Sequence, residues 1–167
     1  MKKYGWLILI WLFFLSLGGD NFLIPLRIQA AMFSKIASHD GVLKNKDRIR
    51  LLIVFDKSTE QLMKDCKKAF APAFYQVGES TLDKLSSVIN EYDIIYFMPK
   101  LASHATVCRK YNKLSVACVT MAVVNGDVTI GLGVVQDLPR LYVNISNLER
   151  EGHSLSPNIL QIAKVYK

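Results

Sequence analysis

The chain has 167 residues, the usual size of one domain with one core once a short leader is set aside. Hydrophobic residues make up 51% of it and charged residues 21%, a balance that excludes a disordered chain. The formal net charge is +7, but the basic residues are scattered and lack interleaved aromatics, which disfavours a nucleic-acid-binding surface. We therefore expect one globular domain.

The N-terminus has the pattern of a secretory signal. Lys2 and Lys3 precede an apolar run over 6–17, which ends in small residues before Asp20. The run is about a dozen residues long, short of the roughly 20 that span a bilayer. We predict a signal peptide over 1–19 and one domain over 20–167. No A-x-A cleavage motif is present, so an uncleaved signal-anchor is the alternative, and in both cases the domain lies outside the cytoplasm.

The first two thirds of the domain alternate helical patterns with short apolar runs. Ser58 with Gln61, and Ser80 with Asp83, have the spacing of helix N-caps followed by an acidic or amide partner. Because parallel neighbours need long connections, this alternation predicts a mostly parallel sheet with flanking helices in a Rossmann-like order. The predicted strands cover 50–55, 73–77, 93–98 and 114–121, and the predicted helices cover 27–39, Ser58 to Pro72, 82–89 and Ser103 to Tyr111.

The first of these helices is amphipathic. Its apolar residues recur at steps of three and four, which indicates one face packed on the core. That predicted buried face carries Ile28, Ala31, Met32, Ile36 and Ala37.

The last third has the pattern of an antiparallel hairpin. The Asn-Gly pair at 125–126 is a strong turn signal, and the dipeptide at 136–137 joins two strand-like runs. The fold class is therefore α/β, a single mostly parallel sheet with a C-terminal antiparallel hairpin. The remaining elements are strands over 127–135 and 138–145, a helical turn over 147–152, and a last helix capped at Ser156-Pro157 that docks through Leu160, Ile162, Ala163 and Val165.

Three cysteines form an odd set. In an oxidising compartment Cys108 and Cys118 are the disulfide candidates, since they lie close in sequence on a predicted helix and the strand that follows it. That pairing leaves Cys66 as the odd thiol. The alternative is that all three are buried small hydrophobes. No C-x-x-C motif occurs and the three histidines are isolated, so no metal site is expected.

The element order and several segments resemble the YfiR-like family of bacterial periplasmic proteins. The similarity covers almost the whole chain after the leader, and it rests on the joint order of motifs that are structural rather than chemical. The segments that carry it are Ala31 to Asp40, Arg50 to Phe55, Asp93 to Phe97, Leu141 to Ile145, Gly152 to Ser156 and Ile159 to Val165.

The resemblance implies a compact periplasmic domain without a cofactor. Its best-understood relative represses a membrane-bound diguanylate cyclase by binding the periplasmic part of that enzyme, under redox control through disulfides. This implies a non-enzymatic regulator whose partner is the periplasmic part of an inner-membrane signalling protein, such as a diguanylate cyclase or a sensor kinase. A homo-oligomer is left open. The sequence departs from that relative in its three cysteines and in its His39-Asp40 helix end.

Motifs of catalysis are absent from the sequence. It contains no G-x-S-x-G, no H-E-x-x-H, no P-loop and no G-x-G-x-x-G after the first strand. Ser103-His104 is interpreted as a helix cap. Gly131 and Gly133 indicate a bulge or a close backbone approach rather than phosphate binding. We therefore expect that the protein is not an enzyme.

A second function is left open by the strand ends. In open parallel sheets, ligands bind beyond the carboxyl ends of the strands, and helix N-termini there can hold anions. The alternative to the regulator is thus a periplasmic protein that binds a small solute or an anion. The candidate ligand-binding residues, which could equally be simple helix caps, are Lys57, Ser58, Thr59, Ser80, Thr81 and Lys100.

Overall fold

The computed structural model describes residues 24–167, which form a seven-stranded sheet flanked by helices. The predicted α/β fold with its antiparallel hairpin is confirmed. The predicted signal peptide over 1–19 lies outside the described residues. Between residues 24 and 167 no helix has the length and apolarity that a membrane crossing requires.

The elements are numbered here in chain order. The strands are β1 (Arg50–Phe55), β2 (Gln76–Thr81), β3 (Ile94–Phe97), β4 (Leu114–Ala117), β5 (Ile130–Val135), β6 (Leu138–Asn144) and β7 (Lys164–Tyr166). The α-helices are α1 (Leu26–Ala37), α2 (Glu60–Phe70), α3 (Leu82–Val88), α4 (Val107–Tyr111), α5 (Thr120–Val124), α6 (Ile145–Arg150) and α7 (Pro157–Ile162). Short 3-10 helices cover Lys57–Thr59, Ile89–Glu91 and Pro99–Thr106.

The sheet has the strand order β2-β1-β3-β4-β5-β6-β7. The first five strands are parallel, β6 is antiparallel to β5, and β7 runs parallel to β6. Gln136 and Asp137 have φ angles of 50° and 60°, as the tight two-residue turn of a hairpin requires. The 125–126 turn is present as well, with Gly126 at a φ of 78°.

The core is centred on β1 and β3, whose apolar runs are buried on both faces. The ring of Tyr96 on β3 is fully buried and meets Phe70 edge to face at 5.2 Å and Phe33 at 5.9 Å between ring centroids. Its hydroxyl donates to Oε1 of the buried Gln29 on α1, at 3.1 Å. Burial raises the pKa of Tyr96 well above its ordinary value. Hydrogen bonding and aromatic packing thus fix α1 and α2 on one face of the sheet.

The first capping box lies earlier than predicted. Oδ1 of Asp56 accepts from the Thr59 amide, and Oγ1 of Thr59 accepts from the Asp56 amide, both at 3.0 Å. Ser58, the predicted cap, instead donates to Oδ1 of Asp56 at 2.7 Å. The predicted pairing of Ser58 with Gln61 is therefore wrong, because Asp56 already supplies the acceptor that a helix start needs.

The second strand is displaced from its prediction. The run 73–77 was expected to form it, but β2 begins at Gln76 and continues to Thr81, which is the N-cap residue of α3 in place of Ser80. β2 is an edge strand with a polar sequence and a half-exposed surface, so it lacks the apolar run by which a strand is recognised. Phe74 is buried ahead of it as a core residue.

Two C-terminal elements were not predicted. The strand expected over 114–121 ends at Ala117, and its last residues enter α5. The final helix ends at Ile162, and the chain then forms β7, where Val165 is 43% exposed instead of docked on the core. The β-branched residues of α5 have strand propensity, but a strand there would lose the packing that α5 makes on β5.

A buried carboxylate joins the last third of the chain to the parallel strands. Glu151 follows α6 and is 1% exposed. Its carboxylate accepts from the Ser115 amide at 2.9 Å and from the Ser115 hydroxyl at 2.5 Å. The Thr129 amide in turn donates to Oγ of Ser115 at 2.9 Å. Burial raises the pKa of Glu151, and the hydrogen bonds from Ser115 offset only part of that rise.

A second buried pair ties the same segment to the end of α1. Nδ1 of His153 lies 3.0 Å from Oδ1 of Asp40, which also accepts from the amides of Val42 and Leu43 at 2.9 Å. Burial alone would raise the pKa of Asp40. The hydrogen bond and charge of His153, together with the two amides, outweigh it and lower that pKa.

We predict that Glu151→Gln removes one pH dependence of folding. The folded state holds the Glu151 proton above the ordinary glutamate pKa of 4.5, so this group's contribution to stability is complete below pH 4.5 and is lost as pH rises through the raised pKa. The wild-type free energy of unfolding should therefore fall over that interval relative to the variant. Urea denaturation at successive pH values measures it.

The matched control is Glu149→Gln, an exposed position on α6, which should follow the wild-type profile. Asp40 has the opposite sign, because its stabilisation is lost as pH falls through its lowered pKa, and it acts equally in all three proteins. Parallel pH profiles for wild type and Glu151→Gln would contradict the assignment.

Candidate functional site

The predicted ligand-binding residues lie at one edge of the sheet, where β1, β2 and β3 end. Their hydroxyls are engaged locally: Ser58 and Thr59 bond to Asp56, and Oγ of Ser80 donates to the carbonyl of Thr81 at 3.0 Å. Lys57 and Lys100 are exposed. The shared edge follows from the parallel topology, but none of these residues lines the pocket found beside them.

That pocket opens at the carboxyl ends of β3 and β4 and on the face of β5, and it holds about 370 Å³. We call it the strand-end pocket. Its position is the one at which open parallel sheets bind ligands. It is lined by Ile24, Pro99, Cys118, Val119, Thr120, Met121, Leu132, Gly133, Val134 and Tyr142.

Two glycines of β5 allow the pocket wall to form. A Cβ on Gly131 would lie 2.5 Å from Cγ2 of Val123, and one on Gly133 would meet Thr120 and lie 3.1 Å from Cε2 of Tyr142. Only glycine therefore lets the β4–α5 connection approach β5 this closely. The close backbone approach predicted for these glycines is present.

Among residues 24–167, the side chains that line the strand-end pocket include no charged one. Burial raises the pKa of Cys118 to about 12, so its thiol is neutral, and it lies 3.9 Å from the Leu132 carbonyl. At the side of the pocket the ring of Tyr142 stacks on Tyr166 at 6.4 Å, and Nζ of Lys164 lies 6.0 Å from the Tyr142 ring centroid. The pocket suits a small molecule that is mainly uncharged, because a buried charge would lack a partner there.

A second concavity lies between α1 and α7 and holds about 470 Å³. We call it the apolar groove. Ile28 on α1 is 43% exposed and Ile162 on α7 is 62% exposed, so large apolar side chains face solvent there. An open apolar surface of this kind is typical of an interaction site. The groove is lined by Arg27, Ile28, Ala31, Met32, Lys35, Ile36, Leu141, Ile159 and Ile162.

The groove was missed because α1 has two apolar faces. Ile28, Ala31 and Met32 were predicted to face the core, but Ile28 and Ala31 are exposed and Met32 is only half-buried. The buried face instead carries Gln29, Ala30, Phe33, Ile36 and Ala37. Gln29 is polar, and only its hydrogen bonds to Tyr96 and to the Ile24 carbonyl make its burial favourable. The signal that could have revealed the groove is that α1 carries more apolar residues than one buried helix face can accommodate.

The cysteines occupy different surroundings. Cys108 is on α4 and is fully buried. Its pKa is raised mainly by burial and to a smaller extent by the charge of the nearby Glu151. Cys118 lies directly after the carboxyl end of β4, whereas Ser115, which contacts Glu151, is the second residue of that strand. No disulfide joins Cys108 to Cys118 in the structure, and their predicted pairing stays a prediction. Cys66 is fully buried on α2.

Comparison with known proteins shows the fold. No protein-family model and no curated protein sequence matches the chain. A solved structure described as a conserved domain protein from Vibrio cholerae O1 biovar eltor str. N16961 superposes with a TM-score of 0.66 at 16% identity, over 86% of this chain. An ABC domain in complex with L-Trp from Streptococcus pneumonia superposes with a TM-score of 0.62 at 12% identity, also over 86% of this chain. The matched region covers 60% of each of those chains.

We predict that Cys118 reacts slowly with thiol reagents. With a pKa of about 12, its thiolate fraction near pH 8 is roughly a thousand-fold below that of an ordinary thiol, and only the thiolate is nucleophilic. Iodoacetamide labelling followed by mass spectrometry of the 118 peptide should be at least about a hundred-fold slower than at an exposed cysteine. Ser103→Cys, on the exposed 3-10 helix, provides that reference. Equal rates at the two positions would contradict the assignment.

Proposed function

We propose that this chain is a non-enzymatic regulatory domain that acts in the periplasm by binding an inner-membrane signalling protein, such as a diguanylate cyclase or a sensor kinase. The observation that carries the proposal is the apolar groove between α1 and α7. Aliphatic side chains line it, and Ile28 and Ile162 are exposed to solvent. Burying them against a partner would be favourable by roughly 25 cal/mol per Å² of apolar surface.

The location of the polar groups supports a binding role. Asp40, Glu151 and His153 have side chains of types common in catalysis, and all three are buried. His153 is hydrogen-bonded to Asp40, and Glu151 accepts from Ser115. None of them lines the strand-end pocket or the apolar groove, so a substrate in either concavity would not reach them.

The sequence supports the location and the type of partner. The pattern over 1–19 predicts export, and the resemblance to the YfiR-like family implies a partner anchored in the inner membrane. The C-terminal half of α1 and the last turn of α7 fall within the segments that carry this resemblance. Seven of the nine residues that line the groove belong to these segments, and Arg27 and Ile28 lie outside them.

We predict that Ile162→Asp strongly reduces recovery of the partner. The full-length protein carrying a C-terminal affinity tag is purified from detergent-solubilised envelopes, and co-purifying proteins are quantified by mass spectrometry. Wild type should recover an inner-membrane protein that has a cytoplasmic signalling domain. An aspartate in the groove should reduce that recovery by about ten-fold or more, because a central apolar contact would be replaced by a charge that loses its water.

The matched control is Leu138→Asp, which places the same charge at an apolar residue that is 70% exposed on the hairpin, outside the groove. It should recover the partner as wild type does. Equal recovery with Ile162→Asp, or no signalling protein with wild type, would reject the proposal.

A second candidate function is the binding of a small solute, and the strand-end pocket favours it. The S. pneumonia domain of similar fold was solved with L-Trp, so a small apolar or aromatic solute is the class to test first. The uncharged lining and the ring of Tyr142 are compatible with such a ligand.

We predict for this candidate that L-Trp or a related uncharged heterocycle raises the Tm of the wild type and of Lys100→Ala. It should not raise the Tm of Thr120→Phe, whose larger side chain fills the pocket. A ligand at a hundred times its Kd stabilises the folded state by about 2.7 kcal/mol. A thermal-shift screen measures the effect. A shift that persists in Thr120→Phe would place the ligand elsewhere, and no shift with any solute would reject this candidate.

A further inference from the structure

We propose that the apolar groove binds an acidic amphipathic helix of the partner, whose carboxylates pair with Arg27 and Lys35. The proposal rests on the proposed function for the existence of a partner and adds the chemistry by which that partner is recognised.

The shape of the groove fits a helix. Its α1 wall extends from Arg27 to Ile36, ten residues that span about 14 Å, which equals about two and a half helical turns. The opposite wall is formed by Ile159 and Ile162 of α7, and Leu141 of β6 lies between them. An apolar cleft between two helices is the arrangement in which an amphipathic helix docks its apolar face.

The charges at the groove are of one sign. Arg27 and Lys35 are the charged side chains of its lining, both are exposed, and neither forms an ion pair with any residue between 24 and 167. They are eight residues apart on α1, or about 12 Å. Lys68 of α2 lies with Arg27 around a neighbouring cavity, which adds positive charge on the other side of α1. Acidic residues seven or eight positions apart on a docked helix would match this spacing.

The same charges disfavour occupants from this chain. A second copy related by a two-fold axis would bring Arg27 and Lys35 against themselves. The leader is apolar over 6–17, but it carries Lys2 and Lys3 against the single acid Asp20. A flat surface of anionic lipid would satisfy the cations, but it matches the elongated shape of the groove between α1 and α7 less well than a helix does.

The test uses two labelled synthetic helices, each about four turns long. Both present leucines along one face, and they differ only in the flanking residues, which are glutamate in the acidic peptide and lysine in the basic peptide. Fluorescence anisotropy measures their binding to protein produced from the full-length sequence. The acidic peptide should bind about ten-fold more tightly than the basic one, and added salt should reduce that preference.

A charge reversal makes the test specific to the groove. The double variant Arg27→Glu, Lys35→Glu should reverse the preference so that the basic peptide binds more tightly. The control is the double variant Lys57→Glu, Lys100→Glu, which changes net charge equally at two exposed lysines outside the groove and should keep the wild-type preference. Equal binding of both peptides, binding of neither, or no reversal in the first variant would overturn the proposal.

Two further measurements distinguish an acidic helix from a lipid surface and from a partner of different chemistry. If the protein binds vesicles with about one third phosphatidylglycerol and binds neither peptide, the groove is a lipid site and the proposal fails. If envelope purification recovers a signalling protein that Ile162→Asp loses, while Arg27→Glu, Lys35→Glu leaves its recovery unchanged, the proposed function stands and the acidic-helix chemistry is wrong.

Discussion

The attachment of the last third of the chain to the parallel strands depends on one buried carboxylate. Glu151 reaches across to the Ser115 amide and hydroxyl on β4, and Ser115 accepts from Thr129 at the entry to β5. Removing either partner would leave a buried polar group without its hydrogen bond, a cost of about 1–3 kcal/mol for a neutral group and more for a charge. Asp40 and His153 repeat this arrangement two residues further along the chain, so the segment after α6 is held at β4 and at the end of α1.

This attachment determines where the apolar groove can exist. The amide of Gly41 donates to the Ser154 carbonyl at 2.7 Å, and the amide of Ser156 donates to the His39 carbonyl at 3.1 Å, immediately before α7 begins. α7 therefore starts beside the end of α1, and its Ile159 and Ile162 line the groove together with α1. α7 is too short to cover the whole outer face of α1, and the aliphatic side chains left between the two helices form the groove. The backbone hydrogen bonds at the end of α1 thus determine where α7 starts, and the position of α7 in turn creates the apolar groove beside α1.

The sequence predicted those parts of the fold in which local pattern and tertiary burial agree. The continuous apolar runs of β1 and β3 and the two-residue turn at 136–137 are of this kind. The prediction from sequence failed where residues that are distant in the chain determine the local structure. α5 has strand propensity but packs on β5 because Gly131 has no side chain, and β7 forms because β6 offers an unpaired edge. The predicted ligand residues share an edge, as parallel topology requires, but the hydroxyls of Ser58, Thr59 and Ser80 are bonded to neighbouring residues of their own segments. The groove depends on the burial of a polar residue, Gln29, which no hydrophobic pattern indicates.

The two concavities share one strand but lie on opposite sides of it. Leu141 lines the apolar groove and Tyr142 lines the strand-end pocket, and successive side chains of a strand point to opposite faces. A solute in the pocket could change the groove only by binding two arrangements of β6 with different affinity. β6 is paired with β5 at six positions ending in a tight turn, and β7 covers its other edge. A one-residue slip would turn Leu141 and Val143 out of the core and so reverse both faces. The pairing of β6 therefore opposes such a rearrangement, and under the proposed function a partner at the groove would be recognised by its own shape and charge.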